Sequence, residues 1–550
     1  MTMRRALVVS AVLSLGTLAC KTTPPPERAP ARGTPVGLFI VNGRFWGHPE
    51  AKALRIVGRR IAALGDLPAG VTSAIDAQGG HVLPGFHDSH MHLLGTGMSD
   101  EGAKLAEFTT LEAVLDAVKK FAAEHPDAPW IRGRGWQYSI VPRGTFPSRQ
   151  DLDKAVPDRP ALLTSFDGHT AWANTRALEI AHVDASTEDP DGGTIVRNAD
   201  GSAQGTLLED AEEVVGKVIP KASREQKLEA LRRGAKELVD LGVTSIDDIE
   251  ADEETLPLFA TLLERRELPI RVRLALPIDG DLVAYATIRD RYAGDRLSFG
   301  FLKGFVDGVV ESRTAYLVEP YEGSTSRGKP ILGPKRLEEL VGRAHAAGFP
   351  VALHAIGDAA VRISLDAFEA AEEEHPAIQL PHRIEHIEVI SKVDIPRFAK
   401  LGVYASMQPL HAYPEPPTEV WSTNLGPARL PLTFAWHSLL DAKARLIFGS
   451  DSPVASPNPL TGLAVAVTRR DEKGEPAGGW NAHQAITMEE AIRAYTVEPA
   501  LAAGTTELGA LEQGMLADIA ILSSDVDLAR PETLWKGSVV HTIVGGVVEH

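Results

Sequence analysis

Three observations in the 550-residue sequence predict an α/β protein built on a closed (β/α)8 TIM barrel. Short apolar runs alternate with amphipathic helical stretches through the middle of the chain, the pattern that builds parallel sheets. The strand candidates number eight, the count that closes such a barrel. Polar side chains able to bind metal recur at the C-terminal ends of those candidates, where barrels of this kind carry their chemistry. The length also exceeds what one core usually serves, so further domains are expected.

In chain order, Arg4 and Arg5 precede an apolar run from Ala6 to Ala19 that is too short to span a membrane stably. A charged start followed by such a run reads as a secretory leader over residues 1–20. It ends in Gly16-Thr17-Leu18-Ala19-Cys20, and Cys20 is the only cysteine of the chain, so the body holds no internal disulfide. The stretch resembles a bacterial lipoprotein signal, which implies lipidation at Cys20. The expected location is the periplasmic side, anchored by lipid to the outer membrane. An ordinary secretory leader is the alternative. Residues 21–35, rich in Pro, Thr and Arg, read as a tether.

Residues 36–85 and 496–550 share a strand-like, glycine-punctuated texture, and neither stretch has enough strands for its own core. They are expected to pair into one composite β-sandwich, with strands near Leu38 and Ile56 sharing a sheet with strands near Ile519 and Ile543. Residues 86–495 form the barrel. Its strand candidates after the first are 242–249, 270–276, 299–307, 351–354, 383–386, 403–408 and 446–451. An insertion at about 129–223, carrying Trp130, Trp136 and Trp172, is too long for a loop and reads as a subdomain. A formal net charge of −18 without a basic block argues against nucleic acid as a partner. A small molecule is the expected partner, and a homo-oligomer stays open.

The first barrel strand holds His90-Met91-His92. Side chains two apart on a strand leave the same face, so the two imidazoles converge; on a helix they would diverge. Imidazole is a common metal ligand. Strand four carries Lys303 between Phe301 and Phe305 on one face, an apolar setting in which an ammonium is costly. Strands five, six and eight end in His354, His386 and Asp451. Each alone could cap the helix that follows. Six such residues at the ends of five strands are hard to explain that way.

Together, Pro84-Gly85-Phe86-His87-Asp88-Ser89-His90-Met91-His92, Lys303-Gly304-Phe305-Val306-Asp307-Gly308, Ser312-Arg313-Thr314-Ala315, Leu353-His354-Ala355-Ile356-Gly357-Asp358, Arg383-Ile384-Glu385-His386 and Gly449-Ser450-Asp451 resemble the amidohydrolase superfamily. The likeness is to the group that contains N-substituted formamide deformylase. It covers the chain from Val36 onward and includes Asp167-Gly168-His169-Thr170-Ala171-Trp172-Ala173-Asn174 of the insertion. His87 departs from the group, which usually has an aliphatic residue there.

The resemblance implies two divalent metal ions, zinc the first choice. His90, His92 and Asp451 would hold the more buried one and His354 and His386 the more exposed one. Lys303, as a carbamate, would bridge them. It implies a metal-activated hydroxide that attacks an amide or an N-formyl or N-acyl amine, with Asp451 passing the proton. Trp136, His169 and Arg313 are candidate substrate contacts. Trp136 packing in a core, and Arg313 pairing with a carboxylate such as Asp307, are the competing readings. Two alternatives in function stay open at this point. One is an esterase, lactonase or cyclic-imide hydrolase on the same site; the other is a lipoprotein binding module without catalysis.

Overall fold

A computed structural model describes residues 37–68, 71, 74–99, 102–252, 254–376, 378–412 and 420–550. The expected leader and tether, Cys20 included, lie outside the described residues.

Eight parallel strands form one sheet: β1 Phe86–Met91, β2 Val243–Asp248, β3 Arg271–Pro277, β4 Leu297–Phe305, β5 Val351–Ala355, β6 Arg383–His386, β7 Tyr404–Met407 and β8 Arg445–Phe448. Every neighbour in the sheet is the next barrel strand in sequence. Just past the strand ends, Asp451 N–H donates to the His90 carbonyl at 2.6 Å and His92 N–H to the Ser452 carbonyl at 2.8 Å, joining β8 back to β1. That approach is close enough that a Cβ on Gly449 would meet His90 N at 2.5 Å, so glycine is required there. The expected TIM barrel is present, and its strands fall within a few residues of the sequence reading.

The helices between the strands form for local reasons and stay for tertiary ones. Arg224–Asp240, which leads into β2, starts with a capping box made by Ser223 and Gln226. Its buried stripe of Leu228, Leu231, Ala235 and Leu238 faces Phe86, Val243 and Ile246 in the main core. Burying each leucine contributes about 1.5–3 kcal/mol, and Leu231→Ala would cost about 2–5 kcal/mol.

The insertion is larger than the sequence suggested. Its six-stranded sheet starts at Ala103–Lys104, not near residue 129, and it includes the helix Leu111–Glu124. Leu105, Val114 and Val118 pack with Ile131, Trp136 and Leu163 in a core separate from the barrel's. The helix reads like a barrel helix because its period is the same, and period does not say which core a stripe faces.

The two chain ends do form a sandwich, but the sheet pairing differs from expectation. Leu38–Val41, Ala53–Val57, Arg60–Gly65 and Ala74–Asp76 make one sheet by themselves. Ile519–Leu522 and Val539–Val544 instead pair with Arg44–Phe45 and His81–Pro84 in the other. The strands around Leu38 and Ile56 pair antiparallel with each other, so they meet the C-terminal strands face to face. Ile40, Ile56 and Ile61 pack there against Ile519, Ile521 and Ile543. His81–Pro84 runs into β1 after the single residue Gly85. The sandwich is thereby tied to the strand that carries the first two histidines.

Candidate metal centre

The predicted ligands meet at the C-terminal mouth of the barrel. His90 Nε2 and His92 Nε2 lie 3.2 and 3.1 Å from the same oxygen, Asp451 Oδ1. Donor atoms about 2.0–2.2 Å from a zinc ion in a tetrahedral site stand roughly 3.3–3.5 Å from one another. The spacing of these three therefore suits a shared ion. The rings of His90 and His386 stand 4.7 Å apart, and those of His386 and His354 4.5 Å apart. Register explains the second pair, because Phe305, His354 and Glu385 face one another across three strands and His386 opposes Ala355. His386 and Asp451 adopt left-handed backbone (φ 74° and 59°), a conformation uncommon outside glycine and concentrated at functional sites.

Groups behind the ligands fix which nitrogen faces inward. His90 Nδ1 is 2.6 Å from Glu385 Oε2, His92 Nδ1 is 2.7 Å from Glu250 Oε2, and His386 Nδ1 is 2.9 Å from Gln408 Oε1. Each Nδ1–H donates outward, leaving Nε2 as a lone-pair donor into the centre, the usual arrangement around a metal. Glu385 is itself held by Arg383, 2.6 Å away. Against the penalty of burial, Arg383 and His90 keep Glu385 down at about 2.

The buried atoms at this mouth without a hydrogen-bond partner include Lys303 Nζ, His354 Nε2 and His411 Nε2. Buried polar atoms are normally satisfied, so such a cluster marks a place for something else. Burial pushes Lys303 down to about 8, against the pull of Glu385 and Asp451. Burial and then the neighbouring Lys303 charge hold His354 well below the ordinary imidazole range; burial and then His354 do the same to His386. Burial opposes the ionisation of Asp451, yet His90 and His92 hold it well below the usual carboxylate range. His92, despite burial, is pushed up to about 10 by Asp451 and Glu250, so the site favours positive charge at that point. The donor set, its orientation and its orphaned atoms fit a metal centre.

The structure brings all six predicted ligands together and adds a seventh group. His411 follows β7, with Nε2 3.6 Å from Asp451 Oδ2 and its ring stacked 5.7 Å from that of His386. His386, His411 and Asp451 form a second ligand-like triad that shares Asp451 with His90 and His92. His411 was readable only as a histidine three residues past the strand-seven candidate, and strand seven carried no motif. The outer partners Glu250 and Gln408 were equally silent. Exposure does not follow the expected division of a buried and an exposed ion. The His92 side chain is the open one, at 21%, while His354 and His386 are buried.

Of the tentative substrate contacts, only His169 stays near the mouth. It lines a cavity of about 220 Å³ beside His354 and donates from Nδ1 to Glu209 Oε2 at 2.7 Å. Trp136 is fully buried in the core of the insertion, packs edge-on to Trp172 and donates to the Leu163 carbonyl at 3.1 Å. It does not reach the cavity. Arg313 is exposed and donates to Asn424 Oδ1 at 2.9 Å. Its supposed partner Asp307 instead accepts backbone N–H bonds from Tyr316, Ile356 and Gly357, shaping the loops around the site.

The chain is 30% identical to the putative amidohydrolase YtcJ of Bacillus subtilis over 87% of its own length and 90% of that protein's. It is 28% identical to N-substituted formamide deformylase of Arthrobacter pascens over 91% and 95%. The crystal structure of an uncharacterized metal-dependent hydrolase from Pyrococcus horikoshii superposes with a TM-score of 0.71 at 26% identity, covering 90% of this chain and 99% of that one. A model of the amidohydrolase family matches residues 73–550, and the chain belongs to that family.

Proposed function

We propose that this amidohydrolase-family protein hydrolyses a carbon–nitrogen bond outside the peptide backbone, in an amide or an N-formyl or N-acyl amine, at a two-metal site. The observation that carries the reading is the convergence of His90, His92, Lys303, His354, His386 and Asp451 with orphaned buried atoms at one barrel mouth. His90, His92 and Asp451 would hold one divalent ion and His354 and His386 the other, with His411 alongside. Zinc suits an imidazole-rich set. An unmodified Lys303 ammonium would oppose two cations; as a carbamate it would offer an anionic oxygen to each.

Bound divalent ions supply Lewis acidity and acidify a water near neutral pH. The protein's own groups do the rest. Glu385, Glu250 and Gln408 keep His90, His92 and His386 in one tautomer. Asp451 lies where it can take a proton from the attacking water and return it to the leaving nitrogen. The C–O bond forms as the water loses that proton and the C–N bond breaks as the nitrogen receives it, giving a carboxylic acid and an amine with no other reactant. Buried walls around His354 and His386 limit access of bulk water.

The test is turnover of metal-loaded protein on matched panels of N-formyl amines, N-acyl amines, esters, lactones and cyclic imides, with metal content measured in parallel. Amine release with about two metals per chain supports the proposal. Turnover confined to esters, lactones or imides favours the same site on another bond. Full metal loading without turnover on any panel leaves a binding module and sinks the hydrolase reading. The Arg4-Arg5 and Cys20 leader supports export and lipid anchoring. Cys20→Ala should leave the protein unlipidated, and wild type recovered without lipid would contradict it.

A further inference from the structure

The cavity beside the ligand cluster is lined by more carboxylates than fixed cations. Asp167, Glu311 and Glu388 line it away from the candidate ligand Asp451; His169, which against the penalty of burial Glu209 favours in its charged form, lines it too, and among the described residues no Lys or Arg does. The neighbouring cavity of about 540 Å³, reached past His92 and Glu250, is lined by Arg132, Arg134, Lys221 and Lys227 as well as by carboxylates. Lys and Arg side chains are thus present at this end of the molecule but, among the described residues, do not line the smaller space.

Its remaining wall is aromatic. Trp421 stacks on Phe434 with ring centres 5.4 Å apart, and Trp480 meets both edge-on at 5.9 and 6.0 Å. Behind this corner the Trp421 indole N–H donates to Glu388 Oε2 at 2.7 Å. Glu388 lies one imidazole away from the ligands, since His411 sits 3.8 Å from Glu388 Oε1 and 3.6 Å from Asp451 Oδ2. Aromatic faces attract cations, and a buried carboxylate beside them adds to that attraction. Glu388 and the aromatic faces repel an anion at this corner. At about 220 Å³ the space is below the roughly 300–1,000 Å³ usual for drug-sized ligands, so it suits one ring with a short substituent.

We propose that this cavity is the specificity pocket of the hydrolase proposed above. It admits amides whose aryl or alkyl half ends in a neutral or cationic group and excludes those ending in an anion. The proposal rests on the hydrolase reading for its reaction but not for its binding preference.

The test pairs two series on the metal-loaded protein. In one, N-formyl benzylamines carry methyl, ammoniomethyl or sulfonate at the para position, and kcat/KM is compared; sulfonate is a poor ligand for divalent ions. In the other, benzyl alcohols with the same substituents are titrated calorimetrically, which needs no turnover. Expected is binding of the cationic and methyl members about tenfold or more tighter than the sulfonate. Glu388→Gln should narrow that gap. Ala455→Arg, which places a guanidinium at a lining position, should turn the preference toward the sulfonate even if the first variant folds poorly. Sulfonate binding as tight as the cation in wild type overturns the proposal, as does absence of binding by all three alcohols. If the alcohols keep the expected order while no formyl amine is hydrolysed, the pocket stands and the hydrolase reading falls.

Discussion

The two ends of the barrel bury charge in opposite ways. At the foot, Asp247 on β2 is ringed by His87, Arg273 and Arg383 at 3.2 Å, 3.2 Å and 2.5 Å. Those contacts overcome the penalty of burial and hold the Asp247 carboxyl well below its ordinary range. At the mouth, Lys303, His354 and His411 instead hold buried nitrogen atoms without hydrogen-bond partners. Arg383 joins the two ends, because it touches Asp247 and also Glu385, which holds His90. The difference teaches which end is finished by the chain alone. A foot made of paired charges is complete on folding; a mouth made of unpaired ones is complete only with a ligand.

The strongest way to break this comparison is at Lys303. Lys303→Ala should lose most bound metal and at least about 100-fold in activity, since even outer partners of metal ligands are worth about 10–100-fold. Circular dichroism should show the barrel intact. Added acetate or propionate should restore part of both metal and activity, whereas Lys303→Arg should fail, because its guanidinium keeps its charge. Two metals and normal turnover in Lys303→Ala would disprove the bridging role.

At the foot the same kind of substitution should act on stability instead. Asp247→Asn leaves Arg273 and Arg383 without their anion, a loss of about 3–5 kcal/mol in chemical denaturation. Because the folded carboxyl is depressed, its contribution is present above the ordinary aspartate value of about 3.9 and is lost as pH falls below it. Wild type should show that acid slope and Asp247→Asn should not; equal slopes would remove Asp247 from the account.

Glu385→Gln tests the link between the ends. It keeps the size of the side chain and removes the charge shared by His90 and Arg383. Metal affinity should fall about 10–100-fold by competition with a chelator, while folding survives. An unchanged affinity would mean that Glu385 serves Arg383 and not the ligand.

The smallest effect concerns a pair near the start of β6 that has no role at the mouth. His382 accepts from Val351 N–H at 3.0 Å, lies 2.9 Å from His345 Nδ1 and stacks on Phe368. Burial, and then the His345 charge, push it down to about 3. The unfolded chain therefore takes up a proton at His382 that the folded one refuses. Stability should fall as pH drops from about 6.5 towards 3, and His382→Asn should lose that component. A variant with the wild-type slope would assign it elsewhere.

Much of this was legible in the residues. His90 and His92 are two apart on a strand, so their shared direction follows from backbone geometry alone. Lys303, His354, His386 and Asp451 each stand at or near the end of an apolar run, and the barrel rule says what strand ends do. Where the reading erred, the missing information was long-range. The helix Leu111–Glu124 has a clear apolar stripe, but nothing local assigns it to the insertion. Trp136 carries the same residue type whether it lines a pocket or fills a core.

The sequence alone therefore determined the barrel, the strand bearing each candidate ligand and the residue types at the mouth, because these depend on local period and on chemistry. Only the tertiary structure decided which groups orient those ligands and what surrounds them. Glu250 reaches His92 across 158 residues and Glu385 reaches His90 across 295. The composition of the aromatic, acidic cavity was likewise hidden, since Asp167, Glu388, Trp421 and Trp480 come from four separate stretches. Periodicity reports neighbours along the chain, whereas a site is a set of neighbours in space, and strand register and loop packing convert one into the other.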